Sequence, residues 1–215
     1  MLLPRSLLLL PAVAAAFALG ACDIGDTGPQ TSQDRSVGAF SRVESHGDID
    51  VRLRVGEPRS VRVRAGEQVI DDVRTEVHDG TLRISFERDG FQLGRRVVEV
   101  GVPALDAIQA DGASDIAAGG LAGRALSIRT NGAADVTANG RVERLDAEVN
   151  GAGDLNLAAL EARDVRVRMS GAGDAEVRAA TRLDADVSGA GDLRYHGDPA
   201  VRRHVSGSAD LARVG

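Results

Sequence analysis

Residues 145–158 read Leu145-Asp146-Ala147-Glu148-Val149-Asn150-Gly151-Ala152-Gly153-Asp154-Leu155-Asn156-Leu157-Ala158. Apolar and polar side chains alternate up to Asn150 and again from Leu155, with a Gly-Ala-Gly-Asp tetrad between the two runs. A period of two marks a strand with one buried face. Asn before Gly is turn chemistry: the amide can satisfy backbone groups, and Gly accepts a positive φ. The stretch predicts strand, glycine bend, strand.

The same unit recurs along the chain. Gly-small-x-Asp tetrads begin at Gly112, Gly132, Gly151, Gly171, Gly189 and Gly207, at offsets of 20, 19, 20, 18 and 18 residues. They end at Asp115, Asp135, Asp154, Asp174, Asp192 and Asp210. The residue before each Gly is Asp111, Asn131, Asn150, Ser170, Ser188 or Ser206. The second, fourth and sixth residues before the Gly are apolar in most copies, as in Met169, Val167 and Val165 or Val187, Ala185 and Leu183. A single unit cannot bury its own apolar face, whereas stacked units can. The outward positions support stacking in register. The third residue before the Gly runs Arg129, Glu148, Arg168, Asp186, His204, and the fifth runs Ser127, Asp146, Arg166, Asp184, Arg202. Both rows alternate in sign between units. In a parallel solenoid such residues become cross-strand neighbours, each opposite pair contributing about 0.2–1 kcal/mol, near the low end when exposed.

Composition agrees with a narrow, layered core. The chain has 215 residues, 43% of them hydrophobic, yet only four Phe, one Tyr and no Trp. It has 26 glycines and a formal net charge of −6, and all 26 of its basic residues are arginine. An acidic chain almost without aromatics lacks the basic footprint and stacking platforms that nucleic acid requires, so no nucleic-acid partner is expected. One cysteine excludes a disulfide framework and a four-cysteine zinc site.

That cysteine sits in an address signal. Arg5 precedes an apolar stretch from Leu7 to Leu19, interrupted by Pro11 and short for a membrane span. The stretch ends in Leu19-Gly20-Ala21-Cys22, the lipobox pattern of bacterial lipoproteins. Residues 1–21 are read as a lipoprotein signal peptide and Cys22 as the acylated residue. Each buried CH₂ of the lipid chains adds about 0.8 kcal/mol to anchoring. Residues 22–36 are polar and read as a flexible tether.

Residues 37–110 are also β-rich. Ile49 to Val55 and Val61 to Arg64 alternate strictly, and Asp79-Gly80 is a hairpin signal between Val73–Val77 and Leu82–Phe86. Val97, Val98, Val100 and Val102 precede Pro103, and this part holds Phe40, Phe86 and Phe91. It is expected to form N-terminal coils or a cap, with residues 111–215 as the repeat coils of one domain.

Phe40-x-x-Val43, then Gly47-Asp48-Ile49-Asp50-Val51, then Asp79-Gly80-Thr81-Leu82-Arg83-Ile84, then the repeated tetrads, together resemble the head GIN domain family, described as auto-transporter adhesins. The resemblance covers roughly Val37 to Gly215. It implies secreted or lipid-anchored bacterial proteins with a β-helical body and brings no catalytic residues. The expected fold is all-β: a right-handed parallel β-helix, a solenoid with coils of 18–20 residues, its hand following the rule for parallel crossovers.

Three features are candidate sites. Stacked carboxylates of Asp115, Asp135, Asp154, Asp174, Asp192 and Asp210 repel one another by about 1 kcal/mol per pair in water, and more at low dielectric. Bonds to backbone N–H groups at the bend would offset this, as would Ca²⁺. The alternating Gly-Gly-x-Gly-x-Asp pattern of calcium-binding β-rolls is missing, so the row is read as a structural turn ladder. His46, His78, His196 and His204 form no ligand spacing and read as exposed spacers. No Gly-x-Ser-x-Gly elbow is present. The sequence therefore singles out no catalytic residue, metal ligand set or cofactor.

The expected function is that of a non-enzymatic bacterial envelope lipoprotein, facing the periplasm or cell surface. It would be an adhesin or scaffold, held to the membrane by its lipid and meeting an envelope component or glycan. Two alternatives are a carbohydrate-active β-helix enzyme (polysaccharide lyase or hydrolase) and a self-associating module.

Overall fold

The computed structural model describes residues 27–87 and 94–214. Cys22 and Phe91 lie outside the described residues. The first strands are β1 (Gln30–Asp34), β2 (Arg42–Gly47), β3 (Asp50–Val55) and β4 (Ser60–Gly66). After a 3-10 turn at Ile70–Asp72 come β5 (Val73–His78), β6 (Thr81–Phe86), β7 (Val97–Val102) and β8 (Ala107–Gly112). Then follow β9 (Asp115–Gly132), β10 (Asp135–Gly151), β11 (Leu155–Gly171), β12 (Ala175–Gly189), β13 (Leu193–His196), β14 (Ala200–Gly207) and β15 (Leu211–Arg213).

The repeat is a parallel β-solenoid of about five turns. Strands β9 to β12 each wrap one coil, and the tetrads superimpose: Gly132 aligns with Gly151, Gly151 with Gly171, and Gly171 with Gly189. Alternation then does its work. Ile116, Val136, Leu155, Ala175 and Leu193 form one inward column, and Leu126, Leu145, Val165 and Leu183 another, all nearly fully buried. Each fully buried Leu, Val or Ile contributes about 1.5–3 kcal/mol of transfer free energy. The coils are filled chiefly by branched aliphatics and alanine.

The first coil begins earlier than the six tetrads suggest. Gly47-Asp48-Ile49-Asp50 is a further copy: Gly47 aligns with Gly112, and the Ala113 amide donates to the Gly47 carbonyl oxygen at 3.1 Å. The long gap between these glycines hid it from a period near 19. The intervening strands stack on the other side of that coil, where β6 pairs with β2 and β7 with β3, both parallel. Strand β5 returns antiparallel to β6 through Asp79 and Gly80, whose φ values of 48° and 72° are those of the turn that Asp-Gly favours. Strand β4 runs antiparallel to β7. Residues 37–110 thus combine a true coil with a cap. Arg96, buried against the Phe86 ring at 4.4 Å, ties cap to coil by donating to the Asp48 carbonyl oxygen at 3.1 Å.

One expectation needs revision. The span read as a tether, 22–36, contains β1, which pairs antiparallel with β4 over Gln30–Asp34. Its composition is polar, but an edge strand needs only backbone donors and acceptors. Arg62 also donates from Nε to Asp34 Oδ1 across the pair at 2.7 Å. In the coils of β9 and β10 glycine also turns a second corner, at Gly120 and Gly140, with φ of +76° and +133°. At the opposite end, every residue of β14 is exposed. Arg203 stands there in the column that Ala185 occupies one coil earlier.

The corner column predicts a sharp contrast. Gly171 has φ +138°, and a Cβ there would overlap the Gly151 carbonyl oxygen; Gly123 has open space around it and no positive φ. Gly171→Ala is expected to lower stability by at least about 2 kcal/mol. Gly123→Ala should be neutral or stabilising by up to about 1 kcal/mol. Urea unfolding of both variants checks this, and equal midpoints would contradict it.

Candidate functional site

Stacking places the tetrad aspartates in one row. Asp135 Oδ1 accepts the Asp154 amide at 2.8 Å, Asp154 Oδ1 the Asp174 amide at 2.8 Å, and Asp174 Oδ1 the Asp192 amide at 2.8 Å. Asp192 Oδ1 accepts the Asp210 amide at 3.1 Å. These four carboxylates thus bond the next coil rather than their own bend, whereas Asp210 Oδ1 accepts the adjacent Leu211 amide at 2.8 Å. At the head of the row the Asp135 amide donates to the Ser114 carbonyl oxygen at 3.0 Å, so Asp115 stands outside the chain of bonds. Arg194 adds positive charge between Asp174 and Asp192, 3.8 and 3.5 Å away.

A second side-chain ladder precedes the glycines. Asn150 Nδ2 donates to Asn131 Oδ1 at 3.2 Å, and Asn131 Nδ2 to Asp111 Oδ1 at 2.5 Å. His46 tops this ladder, 2.8 Å from Glu44 Oε1 and 3.5 Å from Asp111 Oδ2. Ligand atoms of Glu44, His46 and Asp111 lie within 4.8 Å of one another. Their oxygens already have donors: Arg83 Nε reaches Glu44 at 3.1 Å and Gln109 Nε2 reaches Asp111 at 2.8 Å. The trio therefore links the first coil, through β2, to the next, through β8, and Arg83 joins it to β6 of the cap. His196 is no exposed spacer either. Its side chain is only 15% exposed and meets Glu176 Oε1 at 2.5 Å. That partner lies one coil back in the chain, which is why local spacing did not reveal it.

The outward charge rows lie in register, as Asp146 opposite Arg166 and Glu148 opposite Arg168. The ion pairs are less regular than the alternation. Arg129 meets Glu148 at 2.9 Å and Arg166 meets Asp184 at 3.1 Å along their rows, while Arg168 crosses between rows to Asp146 at 3.3 Å. An additional pair, Arg141 with Glu161 at 2.7 Å, lies beyond the second corner. Glu148 is the best held of these carboxylates. Hydrogen bonds from Asn150 and then Arg129 lower its pKa, partial burial opposes them, and the charges of Arg129 and Arg168 add to the lowering.

Beside these rows a groove of about 1270 Å³ runs across the coils. One arginine from each coil lines it: Arg124, Arg144, Arg166, Arg182 and Arg202. Asp146, Asp164 and Asp184 lie among them. Each of these carboxylates has an arginine partner, Asp164 through Arg163 at 3.6 Å and Arg182 at 3.8 Å. The groove is therefore built for ionic and hydrogen-bonded contact.

The lowered Glu148 pKa has a sign that can be tested. A depressed folded-state pKa contributes stability that is complete above the unfolded-state value, and that is lost as pH falls through the folded-state value. Glu148→Gln should therefore be less stable than wild type at pH 7, and the difference should shrink below the ordinary carboxylate range. Urea midpoints at pH 7 and pH 3 for both proteins measure it; a constant difference would refute the assignment.

Comparison with known proteins agrees with this architecture. A putative adhesin from Bacteroides fragilis superimposes with a TM-score of 0.71 at 18% identity, over 86% of this chain and 97% of that one. A putative lipid binding protein from Parabacteroides distasonis gives 0.52 at 18% identity, over 87% and 98%. A putative adhesin from the same species gives 0.51 at 21% identity, with the same coverage. At such identities the likeness is one of fold. No curated protein matches the chain. The family described as "Putative auto-transporter adhesin, head GIN domain" matches residues 39–199, and the chain, with its glycine-cornered solenoid, belongs to that family.

Proposed function

We propose that the protein is a non-enzymatic, lipid-anchored envelope protein of a bacterium, whose solenoid presents a charged surface for adhesion. The observation that carries this reading is the groove with its flanking rows. Side chains of both signs repeat coil by coil along one face, and Asp146, Asp164 and Asp184 are each paired with arginine. Family membership and the adhesin names of its structural neighbours support it. The lipobox at Leu19-Gly20-Ala21-Cys22 supports anchoring and a cell-envelope location. Self-association through β14 is disfavoured, because its edge carries Arg202, Arg203 and His204, and charge on an edge strand opposes pairing. The adhesive reading predicts that the full chain is retained on purified envelope fragments; wild-type protein that passes through unretained would refute it.

Two further outcomes test the anchor and the aspartate row. Cys22→Ser should move the protein from the membrane fraction to the soluble one, and unchanged partitioning would refute lipidation. We read the aspartate row as structural. Asp154→Ala removes the acceptor of the Asp174 amide and should cost about 1 kcal/mol, while Asp154→Asn, which keeps a carbonyl oxygen, should cost less. Added Ca²⁺ should leave the melting temperature unchanged. A rise of many degrees that Asp154→Asn abolishes would assign the row to the metal instead.

A further inference from the structure

We propose that the groove binds a linear acidic polysaccharide, with one carboxylate-bearing sugar held by each of several successive coils. The proposal rests on the adhesive reading and names the ligand class of that surface. Three observations carry it.

The first is length. The groove is lined by residues from β9, β10, β11, β12 and β14, together with Asp106 just before β8. Strands stack about 4.8 Å apart, so the groove runs about 20 Å along the solenoid. Such a shape suits an extended polymer better than a compact small molecule. The second is free charge. Arg166 and Arg182 have carboxylate partners. Arg124, Arg144 and Arg202 have none among the described residues. Register puts Ala125 opposite Arg144, so Arg124 and Arg144 stand on adjacent coils. Their guanidinium forks match a carboxylate in two parallel hydrogen bonds. After the internal ion pairs are set aside, Asp106 is the one carboxylate among the described lining residues that opposes these three arginines.

The third observation concerns what else lines the groove. The arginine-held carboxylates of Asp146 and Asp184 retain oxygens that can accept hydrogen bonds from sugar hydroxyls. A polyphosphate or DNA backbone brings no such donors and would meet those carboxylates only as like charges. Among the described residues no aromatic side chain lines the groove, so bases would find no stacking platform. Exposed Ala125 and Ala200 leave room for a sugar ring. Contacts repeated from coil to coil are individually weak and gain strength through linkage.

The test titrates the full chain, in detergent, with labelled galacturonate oligomers of increasing length, followed by fluorescence anisotropy. Affinity should rise with each added uronate until the groove is spanned, fall with salt, and vanish for the carboxyl-reduced oligomer. The double variant Arg124→Gln/Arg144→Gln should bind about tenfold more weakly or worse. The pair Arg52→Gln/Arg59→Gln, also exposed and unpaired but outside the groove, should bind as wild type. All of these substitutions leave the ion pairs of the fold in place, and matching melting temperatures would verify that. Absent uronate binding overturns the proposal, as does a groove variant that binds as wild type. Polyphosphate or single-stranded DNA binding as tightly as the uronate overturns it too. If uronate binding fails while wild type is still retained on envelope fragments, the adhesive reading survives without this ligand. If uronate binds but the fragments do not, the groove assignment stands and the adhesive reading falls.

Discussion

Everything in this molecule depends on how closely one coil can lie on the next at the glycine corner. Gly47, Gly112, Gly132, Gly151, Gly171, Gly189 and Gly207 all take positive φ. From Gly112 onward, a Cβ would press into the carbonyl oxygen of the glycine one coil earlier. Only a residue without a side chain lets backbone meet backbone there. That contact holds successive arms in register, and register turns a repeating sequence into columns. A one-residue slip would send every Val, Leu and Ala of an arm to the solvent.

Once the columns exist, polar side chains behave as ladders. The aspartate row links each coil to the next through amide-to-carboxylate bonds, and the asparagines do the same through their amides. An isolated strand pair would gain little from such contacts. Here each bond reports on the same spacing as the glycine corner, so they reinforce one geometry. The row also shows how six acids can stand close together: backbone donors face most of them, and Arg194 sits between two. The ion pairs on the outer rows add modestly at their exposure and matter more for the surface that they shape.

The net charge of −6 describes the chain but not its faces. Acid is spent in the tetrad row and in partnered positions, while the groove keeps arginines without partners. A surface of this kind selects by pattern and spacing rather than by overall charge. The rigidity that the stacked core imposes keeps that spacing fixed, so a repeating ligand need not order the protein on arrival.

Much of this was legible in the residues. Alternation flanking Asn150 to Asp154 defines two strands and a bend, and recurrence near 19 residues requires stacking, because one coil cannot bury its own face. The inward columns, the Asp79-Gly80 hairpin and the alternating outer rows follow from period and turn chemistry alone. Other features depend on contacts between residues far apart in the chain. Nothing local marks Gly47 as the corner before Gly112, since a cap of β4 to β7 is inserted between them. Polar Gln30–Asp34 becomes a strand only because β4 offers it a free edge. His196 finds Glu176, and Arg124 and Arg144 line a groove, only once register has brought the coils together. Sequence determined the repeating unit, because alternation and glycine bends are properties of a few neighbouring residues. Tertiary structure decided which charges pair and which remain free, because that depends on distances of a few ångströms between coils that the chain order does not contain.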